Sequence, residues 1–291
     1  MVVLVTGSGT LLGNEIAKSL LKKNIKIIAA FRKTFPENLI KFKFVKFLKF
    51  DLNSKINFKL KFDALIHCAG SIPSDHLSLK KLKKINNLGF KKILSGTISS
   101  GCKKIILISS VSIYGDVKNK FLTEKYSSRN NLTSYAKTKL SMERDLINFS
   151  NVNNVSYLIL RLPGLVGKNS KNNFISNLVN KIRNNQDLTI NNPDFKFNNF
   201  IHVKNICSIV LKYLSSKKNN YIFNLGTIYP LKIANIVSFL KKGLKKNIRV
   251  KIKKKRTNVF RILLNKQLLN NFDIFSTKKT LRLLLKDYII L

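Results

Sequence analysis

The 291-residue sequence has no tryptophan, 3 cysteines, 3 histidines and only 13 acidic residues. Three scattered cysteines do not make a disulfide framework, and isolated histidines give no ligand cluster, so we expect free thiols and no metal site. Charged residues interrupt every apolar run before it reaches the length of a membrane span, and the N-terminus lacks a signal-peptide pattern. We therefore expect a cytoplasmic protein without membrane insertion.

The sequence contains 55 lysines and arginines, and because it has only 13 acids its formal net charge is +42. Such a field attracts any polyanion, so nucleic-acid binding is one interpretation. The alternative is compositional drift toward Lys, Asn, Ile and Phe, whose codons are rich in A and T. Lysines are spread along the whole chain without an arginine-rich arm, which favours drift and no specific nucleic-acid partner. In either case a positive surface speeds capture of an anionic substrate.

Apolar, strand-like runs alternate with helix-like segments through the first 160 residues. This alternation predicts an α/β fold of the Rossmann type, a doubly wound parallel sheet with helices on both faces. The predicted strands are Val2–Val5, Ile25–Ala30, Phe44–Phe50, Ala64–His67, Lys104–Ile108 and Ser156–Leu160. The predicted helices are Leu11–Lys23, Leu77–Ser99 and Ser134–Phe149. Residues 161–291 carry shorter elements and are predicted to form a small C-terminal lobe interleaved with the main fold.

A glycine-rich turn follows the first predicted strand. It contains Gly7, Gly9 and Gly13, in an irregular spacing with Thr10 between the second and third glycines. Glycines let the backbone approach a pyrophosphate closely, and the following helix start offers free N–H groups and a partial positive charge. The pattern predicts a dinucleotide site, and the alternative is a tight turn with no ligand.

A tyrosine and a lysine four residues apart, Tyr135 and Lys139, lie on one face of a predicted helix. An ammonium beside a phenol favours the phenolate, which would bring the tyrosine pKa toward neutrality and allow acid–base work. Ser110, at the end of a predicted strand, could hold the oxygen whose proton is exchanged. The alternative is an amphipathic surface tyrosine and a strand-end serine cap.

Candidate site residues follow several predicted strands directly: Gly7, Asp51, Ala69, Ser110 and Pro163. Because the carboxyl ends of parallel strands meet at one edge of a sheet, and ligands of open α/β sheets bind there, these residues are predicted to converge.

In their order and spacing, the motifs resemble those of the extended short-chain dehydrogenases/reductases, the NAD-dependent epimerase/dehydratase family. The resemblance covers nearly the whole chain. The segments that carry it are Thr6-Gly7 with Gly13, Asp51-Leu52, Asp63–Gly70, Ile85-Asn86, Ile108–Gly115, Leu160–Gly164 and Asn199–Val203.

The resemblance implies an NAD(P)-binding Rossmann domain over residues 1–160 and a substrate-binding lobe over residues 161–291. It implies that Tyr135 is the acid/base, that Lys139 binds the nicotinamide ribose and that Ser110 orients the substrate oxygen. The predicted cofactor contacts are Gly7, Gly9, Thr10, Leu11, Gly13, Arg32, Asp51, Leu52, Ala69, Gly70, Asn86, Tyr135, Lys139 and Pro163. The predicted substrate contacts are Ser112, Asn198, Arg256 and Arg261. Arg161 is a further candidate, for which a structural role is favoured, and a homodimer is expected from the family.

Cofactor choice depends on the end of the second strand, where an acid would bind the NAD ribose and a base the 2′-phosphate of NADP. Arg32 and Lys33 stand there without a nearby acid. We therefore expect NADP(H) to be preferred, with NAD(H) possible. The alternative is one more pair of solvated bases in a basic chain.

The resemblance implies an enzyme that moves hydride on a nucleotide-activated sugar, as an epimerase or ketoreductase, in polysaccharide biosynthesis. Val111 and Ser112 stand where the family's sugar dehydratases carry an Asp-Glu pair, which argues against a dehydratase. Two alternatives stay open: an NADPH-dependent reductase of a non-nucleotide carbonyl, and a non-catalytic dinucleotide- or RNA-binding module.

Overall fold

The computed structural model describes residues 1–52, 60–72, 77–126, 130–217, 219–253 and 259–289. The strands are β1 Val2–Thr6, β2 Lys26–Phe31, β3 Val45–Lys49, β4 Ala64–His67, β5 Lys104–Ser110, β6 Phe121–Leu122, β7 Ser156–Leu162, β8 Gly164–Val166, β9 Leu188–Asn191, β10 Lys196–Phe197, β11 Phe200–His202, β12 Tyr221–Asn224, β13 Leu231–Lys232, β14 Val250–Lys253 and β15 Arg261–Ile262. The α-helices are α1 Leu11–Leu21, α2 Leu79–Leu82, α3 Gly89–Ser100, α4 Ser134–Asn153, α5 Phe174–Arg183, α6 Val203–Ser215, α7 Ile233–Gly243, α8 Lys266–Asn271 and α9 Thr277–Ile289.

The main sheet has seven strands in the order β3-β2-β1-β4-β5-β7-β12. The pairs β1/β2, β2/β3, β1/β4 and β4/β5 are parallel. The predicted Rossmann-type sheet is therefore confirmed. Strand order reverses between β1 and β4, and such a switch point is where open α/β sheets bind ligands, beyond the carboxyl ends of the strands.

The described chain divides into two compact units that alternate along the sequence. Unit 1 comprises residues 1–116, 127–161 and 207–223, and unit 2 comprises residues 117–126, 162–206 and 224–291. The division of the chain at residue 160 into a cofactor domain and a substrate lobe stays a prediction.

In unit 1 the helices form where the sequence supplies caps and an apolar face. Helix α1 begins after its cap Thr10, buries Ile16 and Leu20 among other residues, and is followed by Asn24 at φ +56°. Helix α4 begins after its cap Thr133. The apolar faces of α3 and α4 join the inner strands in one buried cluster that contains Leu4, Leu65, Phe90, Leu107 and Leu146. Burial of this apolar surface is the main stabilising contribution to the unit.

One predicted helix, Leu77–Ser99, differs from the structure. It starts at Leu79 as α2, passes through a π-helical turn at Lys83–Leu88 and continues as α3. A π-helical turn inserts an extra residue and is often found at functional sites. Here it carries Asn86 and Asn87, which are both buried.

Unit 2 has its own core. Helices α5, α7 and α9 pack their apolar faces together, with Val179, Leu240 and Leu284 among the residues at the centre. Parallel strand pairs β8/β11 and β9/β14 lie beside them. Helices α8 and α9 follow the short strand β15.

Candidate active site

The glycine-rich turn between β1 and α1 is held by the hydroxyl of Thr10. Thr10 Oγ1 donates to the Gly7 carbonyl at 2.7 Å and accepts from the Gly13 amide at 3.2 Å, so it caps the helix. The amides of Leu11 and Leu12, in the first turn of α1, have no hydrogen-bond partner among the described residues. Two unpaired amides at a helix start fit the pyrophosphate of a dinucleotide.

The glycines of this turn are required by close backbone packing. Gly7 has φ +71°, and a Cβ there would lie 2.8 Å from the Ala69 nitrogen. A Cβ on Gly9 would collide with the Thr34 carbonyl oxygen, and one on Gly13 with the carbonyl oxygen of Gly7. The turn therefore lies directly on the loops that follow β2 and β4, whether or not a ligand binds.

Two cavities of unit 1 gather most of the predicted cofactor contacts. The first lies between the glycine turn, the end of β2 and the loop after β4. Its lining is Gly7, Gly9, Thr10, Ala30, Phe31, Arg32, Lys33, Thr34, Phe50, Leu52, Ala69, Gly70 and Ile85. The second shares Arg32 and Lys33 with it and adds Lys49 and Asp51. Arg32 and Lys33 are both exposed, and Asp51 is the one acid in either lining among the described residues.

Asn86 ties the loop after β4 to helix α4. Its Oδ1 accepts from the Ser71 amide at 2.8 Å, while Nδ2 donates to the Ser71 carbonyl and to Thr138 Oγ1, both at 3.1 Å. Both amide protons are thus used, so the geometry supports positioning of the loop by Asn86 and not a direct cofactor hydrogen bond from Nδ2.

The three predicted catalytic residues all lie at the carboxyl end of β5. Lys139 Nζ donates to the Ile108 carbonyl at 2.8 Å and lies 5.8 Å from the centre of the Tyr135 ring. Ser110 ends β5 two residues beyond Ile108, and its Oγ accepts from the Ser112 amide at 3.1 Å. Helix α4, which carries Tyr135 and Lys139, packs against β5 and against the 3-10 turn that follows Ser110.

The electrostatics of the pair differ from the sequence-based expectation. Burial raises the pKa of Tyr135 to about 12, so Lys139 does not bring it toward neutrality in this structure. Burial also lowers the pKa of Lys139 to about 8, against a smaller opposing effect of Cys68 and Glu143. The direction is opposite to the expected one because desolvation disfavours the charged phenolate.

Ser112 Oγ is buried and has no hydrogen-bond partner within the described part of the chain. Ser112 lies in the 3-10 turn Val111–Tyr114, capped by Ser110. Since buried hydroxyls are normally paired, an unpaired one beside Ser110 agrees with the predicted substrate contact, which stays a prediction.

A buried network beneath the Ser110 turn was not recognised from the sequence. Arg161 Nη2 donates to Glu143 Oε2 at 2.7 Å, and Arg161 Nη1 donates to Tyr114 Oη at 2.6 Å. Ser109 Oγ donates to Glu143 Oε1. The structural role favoured for Arg161 therefore fits its contacts. The sequence does contain one sign of this network: Glu143, one of only 13 acidic residues, stands one helical turn after Lys139.

His67, at the end of β4, was also not recognised. Its Nδ1 lies 2.9 Å from Thr6 Oγ1, its Nε2 has no partner among the described residues, and its ring packs on Phe90. Burial, and secondarily the charge of Lys139, lowers the pKa of His67 to about 3. It is therefore a neutral core histidine at neutral pH.

The remaining predicted contacts belong to unit 2, apart from Arg256, which lies outside the described residues. Pro163 is half-buried between β7 and β8. Asn198 Nδ2 donates to the carbonyls of Thr227 and Ile262, and its Oδ1 accepts from the Ile262 amide, so no donor is left for a phosphate. Its predicted substrate role has no support in this geometry. Arg261 stacks on Phe121 at 5.0 Å and lines a cavity of unit 2.

Within the described ranges, no group of three or more histidines, cysteines, aspartates and glutamates could hold a metal ion. In the same part of the chain, no helix combines the length and the apolar character needed to cross a membrane.

The sequence model of the NAD dependent epimerase/dehydratase family matches residues 3–226, which include the glycine turn, both cavities of unit 1 and the Ser110, Tyr135 and Lys139 cluster. The chain belongs to this family. The predicted resemblance to the extended short-chain dehydrogenases/reductases is confirmed, and so is the prediction of an enzyme of that type.

The chain is similar in sequence to UDP-glucose 4-epimerases, at low identity. The chain is 28% identical over 159 residues to UDP-glucose 4-epimerase 3 of Oryza sativa subsp. japonica, a match that covers 48% of this chain and 42% of that relative. It thus spans less than half the length of this relative.

Solved structures of UDP-sugar 4-epimerases share the fold over nearly the whole chain. A UDP-N-acetylglucosamine 4-epimerase from Methanobrevibacter ruminantium, in complex with UDP-N-acetylmuramic acid, has a TM-score of 0.83 at 23% identity and covers 99% of this chain and 98% of its own. A UDP-glucuronic acid 4-epimerase from Bacillus cereus, in complex with NAD, has a TM-score of 0.81 at 20% identity, with coverage of 99% and 98%. At these identities the likeness concerns the fold.

Proposed function

We propose that the protein is an NAD(P)-dependent 4-epimerase of a nucleotide-activated sugar. The observation that carries this proposal is the cluster at the end of β5, where Lys139 Nζ lies 5.8 Å from the Tyr135 ring and donates to Ile108, two residues before Ser110. The 4-epimerase names of the relatives in rice, Methanobrevibacter and Bacillus support the reaction type.

A bound nicotinamide dinucleotide would supply the hydride acceptor and donor. The turn amides of Leu11 and Leu12 would hold its pyrophosphate, and the Arg32 cavity its adenosine end. Tyr135 Oη would take the proton of a sugar hydroxyl as the carbon loses hydride, and would return that proton when hydride comes back to the opposite face. Ser110 Oγ would hydrogen-bond the same oxygen throughout. A phenol is a weak acid, so its phenolate is costly to form at neutral pH. The positive charge of the nearby Lys139 ammonium would stabilise that phenolate.

The two pKa values define the working range of such a site. A Tyr135 pKa near 12 keeps the phenol protonated at neutral pH, so before Tyr135 can take a substrate proton it would have to release its own proton to solvent, a step that the charged Lys139 would favour. Lys139, with a pKa of about 8, is charged below that pH and loses its charge above it. We therefore expect proton removal by Tyr135 to become harder as the pH rises through about 8.

The test is interconversion of UDP-glucose with UDP-galactose, and of the corresponding N-acetylhexosamine pair, by the purified chain with NAD or NADP. We expect interconversion by the wild type and a loss of at least about 100-fold in Tyr135→Phe, the low end for general acid–base catalysis. Tyr157→Phe, on β7 outside the cluster, is the matched control. Wild-type turnover in Tyr135→Phe would overturn the proposed role of the phenol.

A ketoreductase is the second candidate. It is favoured by the basic side chains at the cofactor cavity, because these suit NADPH, which a reductase consumes. Arg32 and Lys33 line both cavities and Lys49 lines the second, an arrangement that suits the 2′-phosphate of NADP(H). We propose NADP(H) as the preferred cofactor, although the Bacillus relative was solved with NAD. A tightly retained cofactor after purification favours the epimerase, which reuses its own hydride. A site that is empty after purification and net consumption of NADPH favour the reductase.

The predicted homodimer and cytoplasmic location stay predictions.

A further inference from the structure

The turn that carries Ser110 and Ser112 is fixed at both ends by one buried ion pair. On one side, Ser109 Oγ donates to the Glu143 carboxylate, and on the other, Tyr114 Oη accepts from Arg161 at 2.6 Å. Arg161 in turn holds Glu143 through Nε at 3.1 Å and Nη2 at 2.7 Å. All four side chains are buried and belong to unit 1.

Glu143 lies on helix α4, which also carries Tyr135 and Lys139. It follows Lys139 by four residues and Tyr135 by eight, so all three project from one face of α4. Arg161 is on β7 and Ser109 on β5, and these strands are neighbours in the sheet. The pair therefore joins the end of β5, its following turn, β7 and α4 at one point.

Such a pair is a poor device for stability alone. Removing two charges from water costs about as much as their attraction returns, and well-packed apolar residues often stabilise a core equally well. A fully hydrogen-bonded, two-pronged Arg–carboxylate pair does, however, fix orientation. A catalytic constellation needs its side chains held within roughly 0.5 Å, which usually requires such supporting hydrogen bonds.

We propose that Glu143, held by Arg161, is a positioning residue that ties the Ser110 turn to helix α4 and supports Lys139. This inference rests on the proposed function, because it gives Ser110, Tyr135 and Lys139 their importance. It adds a residue that touches neither substrate nor cofactor and acts through its contacts with Ser109 and with Arg161.

The charge of Glu143 affects the protonation of Lys139, because the other titratable groups beside Lys139 are neutral. Cys68 has a pKa raised to about 12 by burial, Tyr135 one of about 12, and His67 one of about 3, so each of them is neutral at neutral pH. The Glu143 carboxylate raises the pKa of Lys139, and its own partner is Arg161. Loss of the carboxylate should therefore make Lys139 lose its proton at a lower pH.

The first measurement is steady-state kinetics on Tyr114→Phe and Glu143→Gln, with Arg144→Gln, an exposed neighbour on α4, as the control. Tyr114→Phe removes one support of the turn and leaves the ion pair in place. We expect kcat to fall about tenfold or more in both, because small misplacements in an active site cost up to about 100-fold. KM and the cofactor Kd should stay within about twofold, since neither residue binds ligand. Unchanged kcat in both variants overturns the proposal.

The second measurement does not need turnover. The pH at which Lys139 titrates follows from the stability difference between each protein and its Lys139→Met derivative, measured as a function of pH. Glu143→Gln should move this midpoint down by about one pH unit, while Tyr114→Phe and Arg144→Gln leave it in place. If no nucleotide sugar is turned over but the midpoint moves, the proposed function fails and the support of Lys139 by Glu143 stands. An unmoved midpoint overturns that support even if the enzyme is active.

Discussion

Replacing Lys139 by methionine should make the protein more stable at neutral pH while it abolishes the proposed chemistry. Lys139 is buried, and burial lowers its pKa from 10.5 to about 8. The native fold thus holds an ammonium in surroundings that disfavour its charge. Methionine has a similar length and no charge, so it removes this cost and keeps most of the packing.

The size of the effect follows from the pKa. The difference between 10.5 and about 8 corresponds to about 3 kcal/mol. The hydrogen bond from Nζ to the Ile108 carbonyl is lost, which offsets about 1 kcal/mol. We therefore expect Lys139→Met to raise the free energy of unfolding by about 2 kcal/mol at pH 7.

The pH dependence gives the prediction its sign. Between about pH 8 and pH 10.5 the unfolded chain keeps the Lys139 proton while the native chain releases it, so wild-type stability rises with pH in that window. The advantage of Lys139→Met should accordingly shrink from about 2 kcal/mol at pH 7 to about zero near pH 9.5.

Urea unfolding of both proteins at these two pH values measures the difference. Lys137→Met, exposed on the same helix, is the control and should change stability by less than about 0.5 kcal/mol. A methionine variant less stable than wild type at pH 7, or a difference that does not depend on pH, would refute the reasoning.

Two further predictions concern the cofactor cavity. Arg32→Ala should weaken NADPH binding about tenfold to 100-fold, the range for a lost charge-assisted hydrogen bond, and leave NADH binding nearly unchanged. Fluorescence titration measures both constants, with Lys23→Ala beyond the far end of α1 as the control, and tighter binding of NADH than NADPH by the wild type would contradict the NADP(H) proposal. Gly9→Ala should destabilise the fold by about 1–3 kcal/mol, because its Cβ would meet the Thr34 carbonyl. Thermal unfolding tests this, and an unchanged Tm would show that the turn can move away from β2.

Long, strongly patterned elements could be predicted from the sequence, and short ones could not. Strands such as β1 and β5 are apolar runs buried on both faces, which only a covered parallel sheet accommodates. The two-residue strands β6, β10, β13 and β15 have no pattern of their own and exist because a partner strand pairs with them. The π-helical turn at Lys83–Leu88 likewise depends on tertiary contacts, among them those of Asn86 with Ser71 and Thr138.

The sequence by itself determined which residue types could do the chemistry: the glycines of the turn, Ser110, and the Tyr135–Lys139 pair at helical spacing. Local spacing places side chains on one helix face or at one strand end, and that much is independent of the rest of the chain. Only the tertiary structure decided their protonation, because a pKa depends on how much water the surrounding fold excludes. Burial raised the pKa of Tyr135 where the spacing alone indicated a lowering. Tertiary packing also joined Glu143 and Arg161, 18 residues apart, beneath the Ser110 turn, since a buried charge requires a partner that sequence spacing does not specify.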